Sequence, residues 1–179
     1  MIAPELSRPL TLDAARRTRE AIDIVADEAE RAALARRFDL LALDRLTATL
    51  TIAVNGHAIS VSGVMIASAT QSCVATGEPV VAAVTVPIAL KLLPAADLEV
   101  AEAAAEVELA GEDLDVVDYD GSAIDLGEIV AQSLALALDP WPRHPDADAM
   151  LRAAGVMSEA EAGAFGALAG LRDKLRGQD

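Results

Sequence analysis

Between Leu46 and Val54 apolar and polar residues alternate without a break: Leu46, Ala48, Leu50, Ile52 and Val54 against Thr47, Thr49 and Thr51. A period of two sends each set to its own face of a strand, one toward a core and one toward water. Asn55-Gly56 follows, the favoured pair for a type I′ hairpin turn, and the return strand alternates again from Ala58 to Ser62. Gly63 then interrupts the phase ahead of Val64-Met65-Ile66, which predicts a β-bulge at the glycine. A third strand, Val80 to Leu92, places Val84, Val86, Ile88, Leu90 and Leu92 on one face. Pro87 within it has no N–H for a ladder and belongs at a sheet edge. Thr76-Gly77-Glu78-Pro79 forms the turn of a second hairpin. The pattern is an antiparallel meander.

Elsewhere the period lengthens. Asp27, Glu28 and Glu30 precede an alanine-rich stretch ending in Arg36-Arg37, which suits the dipole of a helix over about 26–37. Leu126, Ile129, Val130, Ser133, Leu134, Ala137 and Leu138 recur at helical spacing, ended by Asp139-Pro140, and predict a helix over about 124–139. Pro140, Pro142 and Pro145 keep the following DPWPRHPDAD extended. Ser158 is an N-cap with Glu159 and Glu161 in the first turn of a last helix, about 158–175, weakened by Gly163, Gly166 and Gly170. Ser7–Leu12 and Thr18–Val25 each have the length of a short strand. The expected fold is α+β: a mainly antiparallel sheet, with scope to curl toward a barrel, and flanking helices. At 179 residues the chain is expected to form one domain over 1–179. That domain includes an acidic segment at about 95–121 and a C-terminal helical appendage at about 146–175.

Composition alters this picture in two ways. The chain is 53% hydrophobic but only 2% aromatic, so its core is built from Ala, Val, Leu and Ile. Its formal charge is -15, which argues against a broad, sequence-independent grip on nucleic acid. The charge is also uneven. Arg8, Arg16, Arg17, Arg19, Arg31, Arg36, Arg37 and Arg45 lie among acids in the first part, whereas no Lys or Arg occurs between Leu92 and Pro142. A single cysteine permits no internal disulfide. The N-terminus lacks a signal-peptide core, and no run of about 18 apolar residues is free of charge or turn signals. A cytoplasmic protein without membrane contact is expected.

Candidate chemistry is sparse. Cys73, in QSCVATGEP, is open to three readings: a nucleophile, half of a metal site, or a structural thiol beside a turn. A nucleophile needs a base and an orienting partner, and only His57 and His144 are on offer. A structural zinc needs four ligands, more than the chain's Cys and His can supply. No phosphate-binding glycine motif and no EF-hand spacing occurs. No cofactor is expected, and nothing in this inventory makes an enzyme. Glu106, Glu108, Glu112, Asp113 and Asp115 are a candidate surface for a basic partner, with a solvated acidic face as the plainer reading. Arg16, Arg17, Arg36 and Arg37 are the candidate RNA contacts. Trp141, between prolines, either anchors a partner or pins its loop to the body of the domain.

Several stretches together resemble one family. They are SRPL near the start, ASATQSCVATGEPV at the second hairpin, DGSAIDLGEIVAQSLALALDPWPRHPDA after the acidic tract, and AFGALAGL in the last helix. In this order they resemble the YceD family of large ribosomal RNA subunit accumulation proteins, in its alphaproteobacterial form. The motif residues carrying the resemblance are Cys73, Thr76, Asp125, Leu126, Glu128, Pro140, Trp141 and Pro142. Many members carry C-x-x-C at the hairpin; here Thr76 holds the second position, so paired-cysteine chemistry is not available there. The resemblance implies a non-enzymatic role in 23S ribosomal RNA accumulation and large-subunit assembly. The expected partners are a basic large-subunit ribosomal protein or precursor 23S RNA. The alternative is a protein–protein interaction module unrelated to ribosomes.

Overall fold

The computed structural model describes residues 4–95 and 115–157. Along them run β1 (Pro9–Thr11), α1 (Leu12–Arg17), β2 (Ile22–Val25), α2 (Glu28–Arg37), β3 (Ala42–Asn55), β4 (Ala58–Ser72) and β5 (Pro79–Pro94). After residue 114 follow β6 (Asp115–Tyr119), β7 (Ala123–Asp125), α3 (Leu126–Ala137) and α4 (Ala147–Ala153). Two compact units emerge: Met1–Gln71 with Val81–Pro140, and Ser72–Val80 with Trp141–Asp179. The expected helix over 158–175 lies outside the described residues.

The larger unit is built on a five-stranded sheet ordered β2-β3-β4-β5-β6. The α+β expectation holds, and the meander is its centre. Among the described residues the sheet stays open, with β2 and β6 as edges, so it is no closed barrel. One strand breaks the antiparallel rule. β6 runs parallel to the end of β5, Leu90 opposite Asp115 and Pro94 opposite Tyr119.

The alternation of β3 is realised as expected, with Leu46, Ala48, Leu50 and Ile52 buried and Thr49 and Thr51 exposed. With Ile24, Ile59, Val61 and Met65 they form a core against which Leu34, Leu126, Val130 and Leu134 pack, all of them essentially inaccessible. Each fully buried aliphatic side chain contributes roughly 1.5–3 kcal/mol. α2 starts with a capping box: the Asp27 side chain accepts from the Glu30 N–H at 2.8 Å, and Glu30 accepts from the Asp27 N–H at 2.9 Å.

Three local expectations are corrected. No bulge occurs at Gly63; β3 and β4 stay in register through Leu50–Gly63, and the irregularity falls between Leu43 and Arg45. Gly63 is instead a close-approach position, because a Cβ there would collide with the Thr49 carbonyl. The apparent phase change came from Val64 and Ile66, which are exposed apolar residues on the outer face. The first hairpin turn is also different. Asn55 pairs with Ala58, so its loop is Gly56-His57. Gly56 has φ of 64° while His57 has no positive φ, the signature of type II′ rather than I′. Pro87 does not lie on an edge strand, since β5 sits between β4 and β6. Yet the pairing with β6 begins only at Leu90, so the proline's missing donor falls where β6 does not reach.

The outer segments hold elements the periodicity did not show. α1 lies between the two short N-terminal strands; its Thr11 cap accepts from the Ala14 N–H at 3.3 Å. β1 and β7 pair as a separate two-stranded sheet, Pro9 opposite Asp125 and Thr11 opposite Ala123. α4 overlaps only the end of the stretch expected to be extended, starts directly after Pro145-Asp146, and lies within the helical appendage expected at about 146–175.

Candidate functional site

The motif residues gather into two clusters with different chemistry. In the first, Asp125 ends β7 and caps α3. Its Oδ1 accepts from the N–H groups of Gly127 at 2.9 Å, Glu128 at 3.2 Å and Arg8 at 2.7 Å, while Oδ2 accepts from the Ser7 hydroxyl at 2.7 Å. One carboxylate thus satisfies the open end of a helix and fastens the SRPL segment to it. Leu126 completes the clasp: its side chain is buried and its N–H donates to the Arg8 carbonyl at 3.1 Å. Gly127 leaves room for the crossing chain, because a Cβ there would stand 2.5 Å from the Leu6 carbonyl oxygen. Glu128 faces outward to Arg37 at 2.7 Å, and Arg37 also reaches Glu5 at 3.0 Å.

Two ion pairs, Arg37–Glu128 and Arg8–Glu30, each at 2.7 Å, explain two lowered carboxyl pKa values. Hydrogen bonding to Arg37 holds Glu128 below the ordinary glutamate value, and hydrogen bonding to Arg8 does the same for Glu30. Both shifts outweigh the opposing effect of burial.

The second cluster belongs to the smaller unit. Cys73 is buried, 3% exposed, at the start of the hairpin turn. Its N–H donates to the Glu78 carbonyl and its carbonyl accepts from Gly77, both at 2.8–2.9 Å. The sulfur accepts from the His144 backbone N–H at 3.3 Å. That bond, the Thr76 hydroxyl and the N–H groups of Ala75 and Thr76 pull the thiol down to about 6. The sulfur is shielded yet close to the surface, so desolvation offsets only part of this. Four donors around one sulfur make a small anion nest. The His144 ring plays no part in it, since its Nδ1 accepts from the Asp146 N–H at 3.1 Å. Spacing alone gave no sign of this nest, because three of its donors are main-chain or hydroxyl groups of the turn itself.

Pro140 is exposed and Pro142 buried. The Pro142 carbonyl accepts from the Val74 N–H at 2.9 Å. Trp141 is 74% exposed.

The candidate arginines separate. Arg37 is taken up by Glu5 and Glu128 and lies over the Phe38 ring, 5.3 Å from its centre. Arg16 donates to the Gly56 carbonyl at 3.1 Å and lies 4.0 Å from Asp13; Arg17 donates to the Asp13 carbonyl at 3.1 Å. Arg36 is exposed on α2, beside a shallow hollow it shares with Glu28, Arg31 and Asp44. Of the candidate acids, Asp115 is exposed at the start of β6; Glu106, Glu108, Glu112 and Asp113 lie outside the described residues. Among the described residues no cluster of three or more Cys, His, Asp or Glu could hold a metal ion, and no helix is long and apolar enough to cross a membrane.

No curated protein and no solved structure matches the chain. Residues 61–172, however, match the family described as large ribosomal RNA subunit accumulation protein YceD. That span contains the thiol nest, the acidic tract, the Asp125 cap and all of α3. The match covers most of the chain, which therefore belongs to the YceD family, named for its role in accumulating the RNA of the large ribosomal subunit.

Proposed function

We propose that this chain is a non-enzymatic ribosome biogenesis factor. In this reading it sustains 23S ribosomal RNA by escorting a basic large-subunit ribosomal protein through its acidic surface. The family match over residues 61–172 carries the ribosomal part of the reading. The escort part is supported by charge. A chain at -15 repels RNA at long range, and screening at physiological salt limits that repulsion to about 8 Å. Direct contact with precursor RNA would need free arginines to gather. Arg37 and Arg8 are instead paired with carboxylates, and the remaining candidates are split between α1, with Arg16 and Arg17, and α2, with the exposed Arg36.

The absence of catalysis is part of the proposal, supported by the chemistry around Cys73. The sulfur is shielded, and no imidazole among its donors could act as its base. The test is the ratio of 23S to 16S RNA in cells depleted of the protein. Rescue would use wild type or a variant with Glu106, Glu108, Glu112, Asp113 and Asp115 replaced by Ser or Asn. A lowered ratio restored by wild type and not by the variant is expected. An unchanged ratio on depletion detaches the chain from this role and favours the general interaction module.

A further inference from the structure

Helical spacing gives α2 a second face besides the one it buries. Glu28, Ala32 and Arg36, at intervals of four, share that face with Arg31 and Ala35. It forms one wall of an open hollow of about 460 Å³, whose other wall is the chain from Leu40 to Asp44. Buried Ala35 and Leu43 line the hollow, whereas Leu41 beside them is 57% exposed. Both walls are held firmly. The capping box fixes the start of α2. At its end Asp39 has φ of 53° and the Leu40 N–H donates to the Ala35 carbonyl at 2.8 Å, a Schellman turn. The Leu41 N–H is then fixed on the Thr70 carbonyl at 2.8 Å. An exposed leucine on so rigid a main chain loses little freedom on docking.

Charge on this patch is unlike that of the whole chain. Glu28 and Asp44 balance Arg31 and Arg36, so the patch is neutral on a protein of charge -15. A polyanion meets as much repulsion as attraction there, and so does a basic segment. The surface that fits carries the same two signs in reversed order, and the patch itself is such a surface. Glu28 and Arg36 lie four residues on either side of Ala32. Two α2 helices crossing antiparallel at Ala32 therefore bring each Glu28 to Arg36 of the other copy. The small side chain of Ala32 lets the helices approach closely. Leu41 and the hollow lie on the same side of α2, so the two-fold axis through that crossing also sets each Leu41 over the other copy's hollow. The ion pairs among the described residues do not use Glu28, Arg36 or Asp44.

We propose that this chain self-associates through α2 as a two-fold, isologous dimer. In it Glu28 pairs with Arg36 of the second copy, and Leu41 fills the second copy's hollow. α2 is only about 15 Å long, so the contact is small and the dimer weak and reversible. The inference does not depend on the escort reading.

Sedimentation equilibrium of the full chain tests it, with two single variants, Glu28→Arg and Arg36→Glu. Wild type should dimerise with a Kd of about 10–500 μM, in keeping with a small interface. Each variant alone should associate at least about tenfold more weakly, because two attractive pairs become two like-charge pairs. Mixed in equal amounts, the variants should form a heterodimer within about threefold of the wild-type affinity, since every cross-copy pair is again of opposite sign. That recovery also rules out unfolding as the cause of the single losses, because both variants are present in the mixture. Leu41→Asp should abolish association. A mixture that associates no better than either variant overturns the proposal. So does a dimer indifferent to both substitutions, or a wild-type chain still monomeric at about 1 mM. The ratio of 23S to 16S RNA is a separate readout, so the ribosomal reading stands or falls apart from this one.

Discussion

The arginine-bearing front and the acidic edge treat charge in opposite ways. At the front, Arg8 meets Glu30 at 2.7 Å, and Arg37 is shared between Glu5 and Glu128. Charge there is spent on holding chain segments together, some of them far apart in sequence. At β6, Asp115 and Asp118 stand exposed with no cation paired to them among the described residues. Even the buried thiol differs from this edge, because main-chain dipoles and one hydroxyl stabilise its anionic form. The number of charges in a stretch therefore says little about which of them a partner can use. What decides availability is whether the fold has already supplied counter-groups.

The front should break hardest at Asp125. Replacing it by Ala removes a helix cap and two hydrogen bonds to the Ser7–Arg8 segment, a loss of about 3 kcal/mol from the cap and charge-assisted bonds together. A urea titration would show it as a fall in midpoint with little change in slope. Gly127→Ala should follow at about 2 kcal/mol, because the new methyl meets the Leu6 carbonyl and the crossing chain must shift. A fully stable Gly127→Ala protein would mean that the Leu6–Arg8 crossing is loose.

Arg37→Gln should cost about 1 kcal/mol at neutral pH, discounted for the partial exposure of the pairs. Its pH dependence is distinctive. Glu128 has a lowered folded pKa, so the contribution of its pair with Arg37 is fully present above the ordinary glutamate value of about 4.3. It disappears as pH falls below that value through the lowered one. The difference between wild type and Arg37→Gln should accordingly shrink as pH falls below the ordinary glutamate value and on through the lowered one. A difference that persists in acid would mean that Arg37 acts by packing on Phe38 rather than by pairing.

Thr76→Val probes the dipole-stabilised anion. It removes one donor to Cys73, so the thiol should titrate above the value of about 6 held by the intact nest. Thiolate absorbance at 240 nm, followed against pH, measures this directly. An unchanged titration would leave the main-chain donors as the whole cause.

The sequence was most legible where one physical rule acted alone. Period-two alternation located the inner faces of β3 and β5, and helical spacing located α2 and α3. It was less legible where two rules competed. Gly63 combined a glycine with exposed Val64 and Ile66, so a tight interstrand crossing looked like a bulge. α1 and α4 are too short for periodicity, and β6 is acidic, which disguised a strand as part of a loop. In the candidate site, the motif residues were visible as a resemblance, but the clasp between Asp125 and the Ser7–Arg8 segment was not. That contact joins residues 117 apart in sequence, and no local pattern encodes it.

The smallest effect on folding belongs to the edge. Asp115→Asn with Asp118→Asn should change stability by no more than about 0.5 kcal/mol, since among the described residues neither carboxylate has a paired cation to lose. Removing uncompensated negative charge can even raise the thermal midpoint slightly. The comparison with Arg37→Gln is then direct: neutralising charge at the front costs stability, while neutralising it at β6 does not. A loss at β6 as large as that at Arg37 would mean that the edge carboxylates already hold part of the chain in place. They would then be unavailable to a partner, and the contrast between the two regions would fail.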